Sequence, residues 1–335
     1  MAYKKIEEVT DDFWENEINE ENRDIIDEFL DQSSHLSAQT LKQYKSALRI
    51  FAKWVYDHNK NKPLYKLKPR DGLKYQNYLI KLGLSASAIK FKRSAVSSLC
   101  GYIENFLSDE DEYENFRNIF NKAVPNVPPA RKKEKVPLTS KEVQKIIKVL
   151  TERKDYQKLA YFQYTFDTGC RREESRQLLK EVVDYKQVTD RDGNVKPYFQ
   201  THKIRAKGRG KEGKQRTFKY GLQSQEYFKI WLKERARKTK EFGIKDDCEF
   251  MFVHITKNGV SQVSPTAFNG WSETFSEIVG RHIHPHLLRS SRATIAVTEE
   301  GKDIKAVQKL LGHQDSSTTE IYIVRDDTDD EDELF

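Results

Sequence analysis

HPHLLRSSRATIAV, residues 284–297, sets His286 and Arg289 three residues apart and fills the next turns with mostly small side chains. On a helix that spacing puts both side chains on one face. A neutral imidazole and a permanent cation pointing the same way are either a surface pair or two parts of a site that handles an anion. The rest of the chain has to decide between them.

Composition narrows the choice. A chain of 335 residues suggests two domains, with enough apolar content for globular packing. No run is long enough for a transmembrane helix, and the N-terminus MAYKKIEEVTDDFWENE has no apolar signal core. The three cysteines, Cys100, Cys170 and Cys248, lack CxxC spacing, which fits free thiols in a reducing cytosol. The net charge of +7 hides an asymmetry: residues 1–31 carry −9 and residues 325–335 carry −6, leaving +22 on residues 32–324. A basic body between acidic ends implies a polyanionic partner, most plausibly nucleic acid. The acidic ends would screen that body or contact a neighbouring subunit.

Periodicity gives the organisation. Ser37–His58 repeats Leu41, Tyr44, Leu48, Phe51 and Val55 at helical spacing, with Ser37 as cap and Lys42, Lys45 and Arg49 on the opposite face. Further helices are expected over Leu73–Leu82, after the Pro69 break, over Ser87–Phe106, where Lys90, Lys92 and Arg93 intersperse the apolar residues, and over Asn115–Ala123. The Pro- and Lys-rich stretch 124–137 reads as a semi-extended basic linker. Helices then resume after Leu138, over Tyr156–Asp167 and Glu173–Leu179. From Tyr198 the period becomes two, and YFQTHKIR and QRTFKYG read as a β-hairpin around a Gly/Lys-rich turn. From Gln223 onward the pattern is helical, broken near Asn258-Gly259 and Pro265. The expected fold is mainly α with a small β-sheet. It divides into an acidic segment 1–32, a helical domain 33–123, the linker 124–137, an α+β domain 138–324 and an acidic tail 325–335.

Three constellations could carry chemistry. GRGKEGKQ, residues 208–215, nearly matches a phosphate-binding loop. However, Gln215 stands where a metal-holding hydroxyl is needed, and a strand rather than a helix follows, so a nucleotide site is rejected. What remains is a cationic hairpin with Lys203, Arg205, Lys207, Arg209, Lys211, Lys214 and Arg216, suited to backbone phosphates. In FDTGCRREESRQLL, residues 166–179, Arg171 opens a helix with Glu174 three residues on, giving a fork held by its own carboxylate. In VQKLLGHQDSSTTEIYIV, residues 307–324, Gly312 caps a helix, His313 follows, and Ser316–Thr318 could cap a short helix carrying Tyr322. Taken singly, each is more simply a surface pair, a solvated charge run or a half-buried tyrosine.

Together, TGCRREE, HPHLLRSSRAT and LLGHQDSSTTEIY, in the order Arg, Lys, His-x-x-Arg, His, Tyr, resemble the tyrosine recombinase (phage integrase) family. Leu288 fills the His-x-Leu-Arg slot, and Tyr322 lies nine residues beyond His313. LSAQTLKQYKSALRIFAKWV and LSASAIKFKRSAVSSL resemble the two basic helices of the family's core-binding domain. The resemblance spans roughly residues 33–323. It implies a C-shaped clamp around DNA and phosphoryl transfer with no metal, ATP or other cofactor. Arg171 and Arg289 would clamp the phosphate, Tyr322 would attack, His286 would act as base, His313 would donate a hydrogen bond and Lys207 would protonate the leaving oxygen. Ala206 replaces the usual first glycine beside that lysine, and Lys203, Lys211 and Lys214 lie close enough to compete. Glu174 would orient Arg171. The alternating His282, His284 and His286 are not expected to hold a metal in this setting.

Two departures are expected. Only the acidic segment precedes Ser33, in place of an arm-binding domain, and the acidic tail replaces the helix that usually docks on a neighbouring subunit. That tail would be disordered and could occupy a basic surface until DNA displaces it. The expected partner is double-stranded DNA with a specific site. The protein would be a homo-oligomer on it, a tetramer if a recombinase. A non-cleaving regulator, monomeric or dimeric, is the rival reading, and a relaxing type IB topoisomerase a third. A cytoplasmic location follows.

Overall fold

The computed structural model describes residues 6–121, 124–128, 136–206 and 214–312. They fall into two compact units, one within residues 6–128 and one within residues 136–312.

The first unit is helical, and short polar side chains set most of its helix starts. Its elements are α1 (Asp11–Asn16), α2 (Glu20–Gln32), α3 (Ala38–Asn59), α4 (Pro69–Lys81) and α5 (Ala86–Phe106). Thr10, Asn19, Ser37 and Ser85 each accept a first-turn amide, satisfying donors the helix cannot. Pro69 opens α4 at a position where a missing N–H costs nothing, so this helix starts earlier than its apolar pattern suggests. Leu48, Phe51 and Val55 of α3, Tyr75 and Leu79 of α4, and Ile89, Val96, Leu99 and Ile103 of α5 form one core. Each fully buried side chain of this kind contributes about 1.5–3 kcal/mol. The acidic N-terminal segment joins the same core through Trp14, Ile18, Ile25, Ile26 and Phe29.

The helix expected over Asn115–Ala123 is not formed: described residues 115–121 are turns and irregular chain. Asn118 explains this locally. Its Oδ1 accepts the Phe120 amide (2.9 Å) and its Nδ2 donates to the Ser97 carbonyl (3.0 Å), a turn that competes with helix. The segment still buries Phe116 and Ile119, and it runs so close to α4 that a Cβ on Gly72 would lie 2.5 Å from the Ile119 carbonyl oxygen.

The second unit contains α6 (Ser140–Glu152), α7 (Tyr156–Thr168), α8 (Arg172–Arg176), β1 (Tyr198–Gln200), β2 (Ile204–Ala206), β3 (Lys214–Arg216), β4 (Lys219–Gly221), α9 (Leu222–Glu241), β5 (Val253–Thr256), β6 (Gly259–Gln262), α10 (Ala267–Val279), α11 (Pro285–Thr298) and α12 (Ile304–Leu311). Helix α7 is buried on every residue from Leu159 to Thr165, the polar Gln163 and Thr165 included, and packs against α6, α9 and α11. The expected hairpin is present as β1 against β4 and β2 against β3, both antiparallel. Between the two ladders His202 and Lys203 lie opposite Thr217 alone, a bulge that re-aims the outer strands. The Thr201 hydroxyl accepts the Phe218 amide there (2.9 Å).

A second hairpin, β5–β6, stands where the sequence reading has only a break in a helical run. Its two-residue turn, Lys257-Asn258, ends on Gly259 at φ 141°. At the start of this unit Arg281 donates to the carbonyls of Val136 (2.8 Å) and Pro137 (2.7 Å) and pairs with Glu142 (2.8 Å). Among the described residues no helix is long and apolar enough to cross a membrane.

Candidate active site

Helix α7 ends on Gly169 in the left-handed region (φ 58°), its amide bonding back to the Thr165 carbonyl. A Cβ on Gly169 would lie 2.6 Å from Leu311 Cδ2, so glycine is needed both for the turn and for the approach of α12. Cys170 follows, buried, and burial pushes its thiol up to about 11, which keeps it protonated. Arg171 then caps α8. Its amide donates to Glu174 Oε2 (2.6 Å) and its Nη1 to Glu174 Oε1 (3.0 Å). Glu174 is 1% exposed, whereas the Arg171 side chain is about a third exposed. One buried carboxylate therefore fixes both the backbone and the guanidinium of this residue.

Arg289 lies on α11 and is fully buried. Its Nη1 donates to the Gly169 carbonyl, and its Nη2 donates to the Leu311 carbonyl at 2.6 Å. It thus bridges the turn that introduces Arg171 and the end of α12. The small residues after it are used as expected. Ser290, Ser291, Ala293 and Ala296 are all buried, Ala293 and Ala296 pack on Val307 and Leu311, and the Ser291 hydroxyl accepts the Leu138 amide (2.8 Å). His286, one turn before Arg289, is exposed. His284 caps α11, its Nδ1 accepting the Leu287 amide (3.2 Å).

The hairpin is tied to the same place. Gln177, at the end of α8, exchanges two 3.0 Å bonds with the backbone of Arg205 on β2. Arg205 and Lys203 present exposed side chains. Lys207, Arg209, Lys211, His313 and Tyr322, with the short helix expected around Tyr322 and the acidic tail, lie outside the described residues. The structure therefore pairs Arg171 with Glu174, ties Arg289 to the turn two residues before Arg171, and places His286 one turn from Arg289; the described chain reaches Gly312, one residue before His313.

In the first unit, Lys42, Lys45, Arg49 and Lys92 line one groove of about 580 Å3 together with Phe91 and Glu8. Lys90 is exposed on α5. Arg49 is already engaged: it pairs with Asp11 (2.5 Å) and lies 5.0 Å over the Trp14 ring. Arg93 requires a correction. It is not on the basic face but buried, with its guanidinium donating to Gln76 Oε1 and to the carbonyls of Pro125 (2.8 Å) and Val124 (3.2 Å). It anchors the start of the 124–137 stretch, because buried carbonyls need a donor and a buried guanidinium needs several acceptors.

Two site residues were missed as such. Arg216 on β3 was read only as one more hairpin cation, yet it donates to the carbonyls of Leu310 and Leu311. Asp167 was read only as part of a helix. Its Oδ2 accepts the Gly221 amide (2.8 Å) and the Ser224 hydroxyl (2.7 Å), fixing the hairpin base to α7. No short-range pattern signals either contact, since the partners lie dozens of residues away.

Known proteins resemble the chain over most of its length. The Phage integrase family model matches residues 137–329, and that of the phage integrase N-terminal SAM-like domain matches residues 26–105. The SPbeta prophage-derived recombinase-like protein YomM of Bacillus subtilis (strain 168) is 33% identical over 335 residues, 99% of this chain and 95% of that one. The tyrosine recombinase XerA of Pyrococcus horikoshii is 29% identical over 303 residues, 90% of this chain and 89% of that one. Among solved structures, the Tn1549 transposon integrase in complex with circular intermediate DNA has a TM-score of 0.65 at 19% identity, over 90% of this chain and 94% of that one. That last likeness is one of fold.

Proposed function

The chain belongs to the phage integrase family, and from that premise we propose that it is a site-specific tyrosine recombinase that cuts and rejoins duplex DNA through a 3′-phosphotyrosine. In this reading the Tyr322 hydroxyl attacks the scissile phosphorus, the new Tyr–O–P bond forms, and the P–O5′ bond breaks. His286 accepts the phenolic proton, and Lys207, or a competing hairpin lysine, returns one to the 5′-oxygen. Arg171 and Arg289 meet the charge on the non-bridging oxygens, and His313 adds a hydrogen bond. The phosphate bond energy stays in the covalent intermediate, so a second strand's 5′-hydroxyl reverses the step without ATP, and no metal enters. Strand exchange between two duplexes calls for a tetramer on DNA, acting in the cytoplasm of a bacterial or phage-infected cell. The helical unit 33–123, with its groove of lysines, would hold the duplex, and the unit 138–324 would carry the chemistry.

One observation carries the reading. Arg289 bonds to the Gly169 carbonyl, 120 residues away in sequence, and so is tied to the turn from which Arg171 leaves two residues later. The test is a nicked suicide duplex cut from DNA flanking the gene. A protein–DNA adduct that survives denaturation and is lost in Tyr322→Phe is expected. Site-specific binding with no adduct would instead indicate a non-cleaving regulator on the same fold.

A further inference from the structure

Arg216 sits on β3, the strand that leaves the hairpin tip, and its side chain reaches α12. Nη1 donates to the Leu311 carbonyl at 2.8 Å and Nη2 to the Leu310 carbonyl at 2.7 Å. These are among the last carbonyls of the helix, which have no partner within it. The guanidinium is also stacked 4.3 Å over the Phe218 ring. Gly312 follows at φ 67°, and a Cβ there would collide with the Arg216 guanidinium. The Leu311 carbonyl is shared: Arg289 Nη2 donates to it as well. Glu174 and Arg171 lie close enough to act on the charge of Arg216, with Glu174 opposing the effect of burial.

From these contacts we infer that Arg216 is a positioning residue for strand cleavage, clamping the end of α12 to the hairpin so that the chain beyond Gly312 starts from a fixed point beside Arg289. That chain carries His313 and Tyr322, and the hairpin tip carries Lys207. One side chain thereby couples the segment bearing the nucleophile to the loop bearing the acid. A forked guanidinium suits the task, because it reaches two adjacent carbonyls at once while keeping its charge. A lysine reaches one at a time. The consequence for cleavage rests on the recombinase reading; the clamp itself does not.

The test compares the full-length parent with Arg216→Ala, Arg216→Lys and Lys207→Ala. Hydrogen exchange is read on the amides of residues 304–312, with Tyr161–Phe166 of α7 as internal reference. Single-turnover cleavage is read on a suicide duplex with an ordinary scissile phosphate and on one with a 5′-bridging sulfur, whose leaving group needs no proton. Arg216→Ala should speed exchange at Leu310–Gly312 at least tenfold and leave α7 unchanged. It should slow cleavage at least tenfold on both duplexes, with DNA affinity retained and Arg216→Lys intermediate. Lys207→Ala should be slow on the ordinary duplex and regain its rate on the sulfur one. Unchanged exchange in Arg216→Ala overturns the clamp. So does a cleavage defect that the bridging sulfur repairs, or one matched by an equal loss of DNA affinity. Should Arg216→Ala not fold, Arg216→Lys is read against the same criteria. A parent that forms no adduct at all defeats the recombinase reading, and exchange still decides the clamp.

Discussion

Glu174 is the residue whose removal the structure prices most directly. Its buried carboxylate accepts the Arg171 amide at 2.6 Å and Arg171 Nη1 at 3.0 Å. Glu174→Ala leaves that amide without its acceptor, a loss of about 1.5–3 kcal/mol for a bond to a charged partner. The second bond ends on a guanidinium about a third exposed, so solvent screening limits it to about 1 kcal/mol or less. The total is about 2–4 kcal/mol, which moves a urea midpoint by roughly 1–2 M at an m-value of about 2 kcal/mol/M. Glu174→Gln keeps an acceptor for the capping amide but loses the charge and turns an NH2 donor toward the Arg171 guanidinium, so a smaller loss, about 1–2 kcal/mol, is expected. Function should fall in the same order. A guanidinium freed from its tether must be reordered on the phosphate, and each 1.4 kcal/mol of that cost is about tenfold in rate. The assay pairs urea unfolding with single-turnover cleavage of a suicide duplex. If Glu174→Ala unfolds at the parental midpoint and cleaves at the parental rate, the carboxylate does not organise Arg171 and the reasoning is refuted.

Two further outcomes separate structural from DNA-facing charges and test the sign of a titration. Arg93→Met should lower the unfolding midpoint and leave the salt dependence of DNA binding unchanged, whereas Lys42→Ala should leave the midpoint alone and reduce the slope of log K against log salt by about one. The reverse pattern would return Arg93 to the DNA face. In the second unit, hydrogen bonding from the Arg281 guanidinium, foremost among the causes, holds the Glu142 carboxyl below its usual range. A depressed carboxyl stabilises the fold above its unfolded value, about 4.3, and that contribution is lost as pH falls through the folded value. The gap in Tm between parent and Glu142→Gln should therefore be open at pH 7 and close below about pH 4. A gap that widens in acid contradicts the assignment.

Helices written in apolar periodicity with a capping side chain were legible without coordinates: Ser37 caps α3 where expected, and the change to period two marks the 198–221 hairpin. The errors have local causes. At Asn115–Ala123 a side-chain turn at Asn118 outcompetes helix, although the apolar residues still go inside. At Lys257-Asn258-Gly259 a hairpin turn was read as a mere break. In the acidic N-terminal segment, charge drew attention away from Trp14, Ile25, Ile26 and Phe29, which carry the packing. Arg93 shows the limit of a helical wheel. Three cations on one helix look alike, and only the arrival of the Val124 and Pro125 carbonyls decides which turns inward. The chemistry of the candidate site was legible as a set of residue types in order. Its supports were not, because Gly169, Leu310 and Leu311 contribute backbone atoms that no side-chain motif encodes.

Those supports bear on how a site for an anion is held before the anion arrives. Burying a guanidinium is costly unless it is paired, and Arg289 is fully buried. Arg289 donates to Gly169 and Leu311, and Arg216 to Leu310 and Leu311, all carbonyls at the C-terminal ends of α7 and α12. Helix C-termini carry roughly half a negative charge each. Two such ends converging on two arginines compensate the cations in part. Arg171, whose side chain is about a third exposed, is held by the buried carboxylate of Glu174. A buried carboxylate thus holds Arg171, and two helix ends contribute to holding Arg289 and Arg216. In a site proposed to attract a phosphodiester, these contacts hold Arg171, Arg216 and Arg289 in place before the substrate arrives.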